Sequence, residues 1–186
     1  MISKIGDTIV EGNLTEKDII KQRETVRAVI LNENKVYMLF SNELNDYTFP
    51  GGGIKTGEKH IEALKRELRE EVGATTVNVI KPLGYVKEYR YGINNSDSTY
   101  CQRSYYYLCD VGDFKEPIYQ KNELKLGLEM VWINIDEVIE HNKNELLNRN
   151  SKENKGYVTV IKRENAVLNY IKEKLTNEKI RSCNKI

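Results

Sequence analysis

The feature that most constrains this chain is a glycine-rich loop followed at once by an amphipathic helix. The segment NDYTFPGGGIKTGE, residues 45–58, contains three consecutive glycines and has too many turn-forming residues for a regular element. From residue 59 to residue 72, apolar side chains recur at helical spacing, and Gly73 follows where a helix would end. The sequence therefore predicts a loop that delivers the chain directly into a helix.

Negative charge is concentrated on one side of that helix. Glu67, Glu70 and Glu71 occupy an arc of about 100°, next to the apolar stripe and without overlapping it. The stripe consists of Ile61, Leu64, Leu68 and Val72. Like charges at such spacing destabilise an isolated helix by ~0.2–0.5 kcal/mol per pair. The cluster is either a solvated face balanced by neighbouring arginines or a site for a hard divalent cation, which prefers carboxylate oxygens.

The glycine loop favours the cation site, because backbone N–H groups without neighbouring side chains can approach an anion closely. One alternative, a P-loop, requires the pattern G-x-x-x-x-G-K-[ST]. Gly52 and Gly57 have the required spacing, but Glu58 stands where the phosphate-binding lysine should be. The loop is therefore not a Walker motif.

Residues of the loop and the helix together match the pattern G-x5-E-x7-R-E-U-x-E-E-x-G-U, where U is apolar. The matching residues are Gly52, Glu58, Arg66, Glu67, Leu68, Glu70, Glu71 and Gly73. This pattern is the Nudix box, and the chain resembles a Nudix hydrolase. The one departure is Ala74, where the family usually has a bulkier aliphatic residue, and we interpret it as a change in packing.

The resemblance implies an enzyme that uses Mg²⁺, with Mn²⁺ as a substitute. The substrate would be a nucleoside diphosphate linked to a group X, cleaved to a nucleoside monophosphate and phospho-X. By analogy, Glu67 and Glu71 hold the metal, and Glu70 is a further ligand or the general base. The residue that acts as the base is left open. Arg66 would pair with Glu58 and brace the loop.

Other site residues follow from the same resemblance. Gly51, Gly52 and Gly53 would let the loop turn beside the metal. Relatives often add a carboxylate from a downstream segment, and Glu129 is the preferred candidate, with Glu123 as the alternative. Arg27 and Arg103 are candidate phosphate or base contacts, although ordinary strand charges are the favoured interpretation.

The remaining patterns predict an α/β fold, a Nudix-type α/β/α sandwich with a mixed β-sheet. A β-hairpin is expected over residues 25–41, strands over residues 76–89, 98–111 and 129–135, and helices over residues 136–148 and 157–175. Ile161, Leu168, Ile171 and Leu175 would form the buried face of the last helix. We expect an extension over residues 1–24, a Nudix domain over residues 25–175 and a polar tail over residues 176–186.

The composition limits the classes of binding partner that we expect for this chain. A formal net charge of +1 gives no reason to expect a nucleic acid or a membrane surface as partner, and no apolar run approaches the ~20 residues of a membrane helix. Three cysteines without metal-site spacing indicate reduced thiols and a cytoplasmic location. A small nucleotide is the expected partner, and a homodimer is left open.

Two other functions compete with hydrolysis. A non-catalytic Nudix domain would bind a nucleotide as a sensor or interaction module, but such domains usually lose the acids that this chain keeps. An isopentenyl diphosphate isomerase would need a reactive cysteine with histidines nearby, and the chain has only His60 and His141. The sequence leaves the identity of group X undetermined.

Overall fold

Two β-sheets form the centre of the molecule, and helices cover them. The computed structural model describes residues 2–93, 97–118, 121–149 and 156–183, without the side chains of residues 121–123 and 176–183. The strands are β1 (Ile9–Val10), β2 (Lys21–Val29), β3 (Leu31–Asn32), β4 (Lys35–Ser41), β5 (Asp46–Thr48), β6 (Ala74–Tyr91), β7 (Thr99–Phe114) and β8 (Leu128–Asn134). The α-helices are α1 (His60–Glu67), α2 (Lys121–Leu126), α3 (Ile135–Asn148) and α4 (Tyr157–Cys183).

The first sheet is mixed, as predicted, with the strand order β1-β6-β7-β2. The long strands β6 and β7 pair in antiparallel fashion. The outer strands β1 and β2 run parallel to β6 and β7 respectively. The β2–β7 pairing extends from Lys21 opposite Tyr100 to Val29 opposite Leu108. The mixed sheet therefore joins parts of the chain that are far apart in sequence.

The second sheet corrects the predicted hairpin over residues 25–41. Only β3 and the start of β4 pair as a hairpin, with Leu31 opposite Val36. Residues 25–29 belong instead to β2, which pairs with β7 in the first sheet. β5 pairs with the last residues of β4, Leu39–Ser41. β8 pairs with β4 along its whole length. The chain thus crosses from one sheet to the other at Ile30, a change of partner that local alternation does not encode.

Two hydrophobic cores confirm the α/β/α layering. Helix α1 and the turn that follows it pack Ala63, Leu64 and Leu68 against residues of β2 and β7. Helices α3 and α4 bury side chains in the other core, which includes Val29, Met38, Phe49 and Tyr106. A sheet covered on both faces explains why nearby residues of β2, such as Val26 and Val29, enter different cores.

One member of the predicted stripe of α1 is not buried. Leu64, Leu68 and Val72 lie in the core, but Ile61 is 37% exposed. Ala63 faces the core instead. After Glu67 the helix widens into a π-helical turn, Leu68–Val72, which ends at Gly73 with a φ of +74°.

Both ends of the chain contribute to the cores. Ile5 is buried, and β1 pairs with β6. Helix α4 buries the predicted residues Ile161, Leu168 and Ile171, and its backbone continues to Cys183, into the range expected to be a polar tail. Residues 184–186 lie outside the described part. Within the described residues, no helix is both long and apolar enough to cross a membrane.

The packing of α4 gives a stability prediction. Leu168→Ala should lower the free energy of unfolding by about 2–5 kcal/mol, because Leu168 is fully buried and its truncation leaves a cavity. Leu147→Ala is the matched control, since Leu147 on α3 is 78% exposed and its truncation should change stability by less than about 0.5 kcal/mol. Urea unfolding followed by circular dichroism measures both. Equal losses would contradict the packing of α4 on the sheet.

Candidate functional site

Arg66 is the centre of a network that joins helix α1 to the glycine loop. Its Nε and Nη2 donate to the two carboxylate oxygens of Glu58, each at 2.8 Å. Nη2 also donates to the carbonyl oxygen of Gly53 at 3.0 Å, and Nη1 donates to Glu67 at 2.6 Å. The expected pair of Arg66 with Glu58 is therefore present and bidentate, which is the strongest form of such a contact. Glu70 lies 3.7 Å from the same Nη1.

The contacts with Arg66 change the pKa of Glu58 strongly. Hydrogen bonds from Arg66, assisted by the backbone N–H of Lys55, lower the pKa of Glu58 to about 2. The same hydrogen bonds to Glu58 raise the pKa of Arg66 above its usual range, and Glu67 contributes further. Both groups are held in their charged forms, so the loop and the helix stay linked across the ordinary pH range.

Gly52 allows the loop to approach Glu67 closely. A Cβ at position 52 would lie 2.6 Å from the Glu67 carboxylate, closer than real Cβ atoms come to other groups. Glu67 is only 7% exposed although it is ionisable. The missing side chain of Gly52 thus provides the space in which this carboxylate lies.

Glu71 contacts the loop one residue earlier. Its Oε2 accepts a hydrogen bond from the backbone N–H of Gly51 at 2.5 Å, and its side chain is 7% exposed. The helical arc predicts only that the acids lie beside the apolar stripe, and in the structure Glu67 and Glu71 are also buried there. The reason is that the loop covers this side of the helix.

The loop itself is held like an extra strand against β2. The N–H groups of Val26 and Ala28 donate to the carbonyls of Gly52 and Pro50, both at 2.9 Å. At Gly51, φ is +131°, and a Cβ there would lie 2.2 Å from the carbonyl oxygen of Val26. Glycine is required at this position because the loop lies so close to the strand.

Of the two downstream carboxylates, Glu129 makes no contact with this network among the described residues. Glu129 lies on β8, is exposed, and accepts a hydrogen bond from Asn42 at 2.8 Å. Leu128 and Glu71 line the same cleft. Because adjacent strand residues point to opposite faces of a sheet, Glu129 faces away from that cleft. Glu123 belongs to α2, and its side chain is outside the described residues. A metal-ligand role for Glu129 stays a prediction.

The donor set fits a divalent cation in its chemistry. Glu67, Glu70 and Glu71 supply carboxylate oxygens beside a loop that carries no side chains from Gly51 to Gly53. In the described part of the chain, no three His, Cys, Asp or Glu side chains are grouped as a formed metal site. Glu67 is instead engaged with Arg66, and Glu71 with the Gly51 N–H. Cation binding would therefore require these carboxylates to exchange partners.

Sequence reasoning missed a buried polar network beneath the loop. Arg163 of α4 is buried, contacts Glu88 of β6 at 3.1 Å and also pairs with Glu164. Glu164 accepts from the backbone N–H of Phe49 at 3.4 Å. A signal existed, since Glu164 falls at the missing helical position between Ile161 and Leu168, where the apolar stripe of α4 should continue.

Two tyrosines of β7 face α1. The hydroxyl of Tyr107 is 2.8 Å from Nδ1 of His60, and the ring of Tyr105 lies 4.4 Å from the His60 ring. The Tyr105 hydroxyl donates to Glu24 at 3.0 Å. These contacts account for both tyrosines without a ligand.

A family model described as the NUDIX domain matches residues 21–154. Among curated proteins, an RNA pyrophosphohydrolase of Francisella tularensis subsp. tularensis is 35% identical over 75 residues, which is 40% of this chain and 48% of that protein. An RNA pyrophosphohydrolase of a Nitratiruptor species is 35% identical over 66 residues, which is 32% of this chain and 43% of that protein. The chain spans about half the length of these curated relatives.

Solved structures are also similar. The E. coli ORF135 protein has a TM-score of 0.49 and 19% identity, over 77% of this chain and 89% of that chain. A NUDIX hydrolase from Nitrosomonas europaea has a TM-score of 0.49 and 21% identity, over 66% of this chain and 78% of that chain. Similarity at this level carries no argument about a substrate.

The Arg66–Glu58 pair predicts a pH-dependent stability. A carboxyl whose pKa falls from 4.5 to about 2 on folding stabilises the fold above pH 4.5, and this contribution is lost as the pH falls toward 2. Glu58→Gln removes this titration. The difference in unfolding free energy between wild type and variant should therefore shrink as the pH falls from about 6 to about 3 in urea titrations. In an Arg66→Gln background, Glu58→Gln should have little pH dependence. A constant difference in the wild-type background would contradict the assignment.

Because Gly52 leaves space for the Glu67 carboxylate, we expect a substitution there to affect metal binding but not folding. Gly52→Ala should fold, because only the flexible end of Glu67 must move, but it should weaken Mn²⁺ binding by about 10–100-fold as that carboxylate is displaced. Gly53→Ala is the control, since its Cβ would lie at an ordinary 3.7 Å from Arg23. Calorimetric titration with Mn²⁺ and thermal melts measure the two effects. Equal Mn²⁺ affinities in the two variants would contradict the role of Gly52.

Proposed function

The chain belongs to the NUDIX family, and from this premise we propose that it is a divalent-metal-dependent pyrophosphohydrolase. It would cleave a nucleoside diphosphate linked to a group X into a nucleoside monophosphate and phospho-X. The observation that carries the proposal is the row of three carboxylates, Glu67, Glu70 and Glu71, lying against a loop without side chains. A pyrophosphate can approach such a loop where other residues would block it.

The main barrier to this reaction is electrostatic, because a polyanionic substrate repels an incoming hydroxide. Mg²⁺ or Mn²⁺, held by Glu67 and Glu71 with Glu70 as a further ligand, would supply neutralisation of the phosphate oxygens and easier deprotonation of the attacking water. Glu70, the least buried of the three, is suited to accept the proton of that water. Arg66 acts by keeping the loop and the helix in register through Glu58 and Gly53.

Two classes of molecule are candidate substrates for this site. A small nucleotide is the substrate expected from the sequence. The name of the curated relatives, RNA pyrophosphohydrolase, adds the 5′ end of an RNA as a second candidate, supported by 35% identity over 75 residues. Both candidates present a phosphoanhydride on a nucleotide, so the same carboxylates would serve either one.

A cytoplasmic location is part of the proposal. Cys101 and Cys109 are both buried and free, as expected where thiols stay reduced.

A substrate panel with two variants tests the function. Wild-type protein with Mg²⁺ should release monophosphate or pyrophosphate from at least one of ATP, ADP-ribose, a dinucleoside polyphosphate, a nucleotide sugar or a 5′-triphosphorylated RNA. Glu70→Gln and Glu71→Gln should each lower kcat by about 100-fold or more. The amide oxygen that Glu71→Gln introduces can still accept the Gly51 N–H, so the effect of this variant would report charge and not loss of the loop contact.

Glu62→Gln is the matched control, because Glu62 is an exposed acid of the same helix whose carboxylate accepts the N–H of Lys59. It should retain activity within about twofold, as expected for surface substitutions. Unchanged activity in both site variants would refute the proposed site. Tight nucleotide binding without turnover in any divalent metal would favour the non-catalytic sensor.

A further inference from the structure

A cleft of about 200 Å³ opens beside the glycine loop, on the side of β2 away from helix α1. It is lined by the acids Glu71 and Asp46, by four arginines from three parts of the chain, and by apolar residues of β4 and β8. Asp46 is paired with Arg149, which lies outside the cleft lining. The arginines are Arg23 and Arg27 of β2, Arg90 of β6 and Arg163 of α4. Four guanidinium groups around one small cleft require either acidic partners or an anionic ligand.

Three of these arginines have partners within the protein. Arg163 pairs with Glu88 and Glu164. Arg27 donates through Nη1 to the carbonyl oxygens of Phe49 and Gly51. Arg90 is buried and donates to the carbonyl of Tyr91 at 3.1 Å. Burial lowers the pKa of Arg90 to about 10, Glu88 opposes that effect, and repulsion from Arg163 and Arg23 adds to it.

Arg23 is different. Within the described part of the chain its guanidinium donates no hydrogen bond and forms no ion pair. Its side chain keeps contact with solvent at the mouth of the cleft. Packing around the guanidinium nevertheless lowers the pKa of Arg23, the charges of Arg27 and Arg163 lower it further, and Tyr100 and Glu88 oppose this effect.

Arg23 lies close to the glycine loop. Its Nη2 lies 3.7 Å from the place where a Cβ of Gly53 would be, while the guanidinium of Arg27 contacts the carbonyl of Gly51. On the helix side, Glu71 contacts Gly51 and Glu67 lies against Gly52. The side-chain-free loop therefore runs between a row of carboxylates and a pair of arginines.

We propose that Arg23, with Arg27, binds a third phosphate of the substrate, and that the chain selects substrates with at least three consecutive phosphates. This inference rests on the proposed hydrolysis. The two phosphates of the cleaved anhydride would lie on the carboxylate side, where a divalent cation is needed. A phosphate beyond them would reach the arginine side and form charge-assisted hydrogen bonds with guanidinium groups. A neutral sugar at that place would leave Arg23 without a partner.

Metal-free binding tests the subsite without relying on catalysis. In EDTA, isothermal titration should detect tripolyphosphate binding to the wild-type chain through the arginines. With Mn²⁺ present, pyrophosphate should bind at least about tenfold more weakly than tripolyphosphate, because it lacks the third phosphate. Arg23→Gln should weaken tripolyphosphate binding by about tenfold or more, and its fold should persist because the Arg23 guanidinium has no hydrogen bond or ion pair to lose within the described residues. Lys162→Gln is the matched control, since Lys162 is an exposed cation of α4 that does not line the cleft, although the next residue, Arg163, does. It should bind tripolyphosphate within about twofold of wild type.

Kinetics then link the subsite to the substrate. If the chain hydrolyses nucleotides, Arg23→Gln should raise KM for ATP about tenfold or more, with little change in KM for ADP-ribose. Equal weakening of tripolyphosphate binding by Arg23→Gln and Lys162→Gln would overturn the proposal, as would equal affinity for pyrophosphate and tripolyphosphate in Mn²⁺ or no tripolyphosphate binding in EDTA. If no nucleotide is hydrolysed but the binding results hold, the hydrolase function fails while the anion subsite stands.

Discussion

The contacts of one guanidinium group determine the geometry of the candidate site. Arg66 is the cation among Glu58, Glu67 and Glu70, and it also contacts the carbonyl of Gly53. Without it, the acids of α1 would repel one another and the loop would lose its link to the helix. Because its contacts to Glu58 are bidentate, Arg66 fixes direction as well as distance, which a lysine at this position would not do.

The loop owes its order to contacts from both sides, since three glycines in a row provide no packing of their own. Backbone hydrogen bonds tie it to β2, and Glu71 accepts the N–H of Gly51 from the helix side. Removing side chains gives access to a substrate but normally costs backbone order. Here the neighbouring strand and helix restore that order, so the loop is both open and fixed.

Beneath the loop, helix α4 contributes a buried ionic network although it lies beyond residues 21–154, the part that the NUDIX model matches. Arg163 and Glu164 join Glu88 of the sheet to the backbone of Phe49, just before the glycines. Removing one partner of such a network leaves a buried charge uncompensated, which is strongly destabilising. The shape of the loop therefore depends on the last helix as well as on the Nudix box.

The sequence alone determined the features that depend on local spacing. These are the glycine loop, helix α1 with the turn that ends at Gly73, and the identities of the acids. The Arg66–Glu58 pair was implied by the resemblance to the Nudix box. The sequence did not determine which strand β2 would pair with, because the partner, β7, lies 79 residues further along at the contact of Thr25 with Ser104. That parallel pairing and the packing of α4 bring Arg23, Arg27 and Arg163 to one cleft. Only the tertiary structure decided this arrangement, because periodicity describes the face of an element and not its distant neighbours.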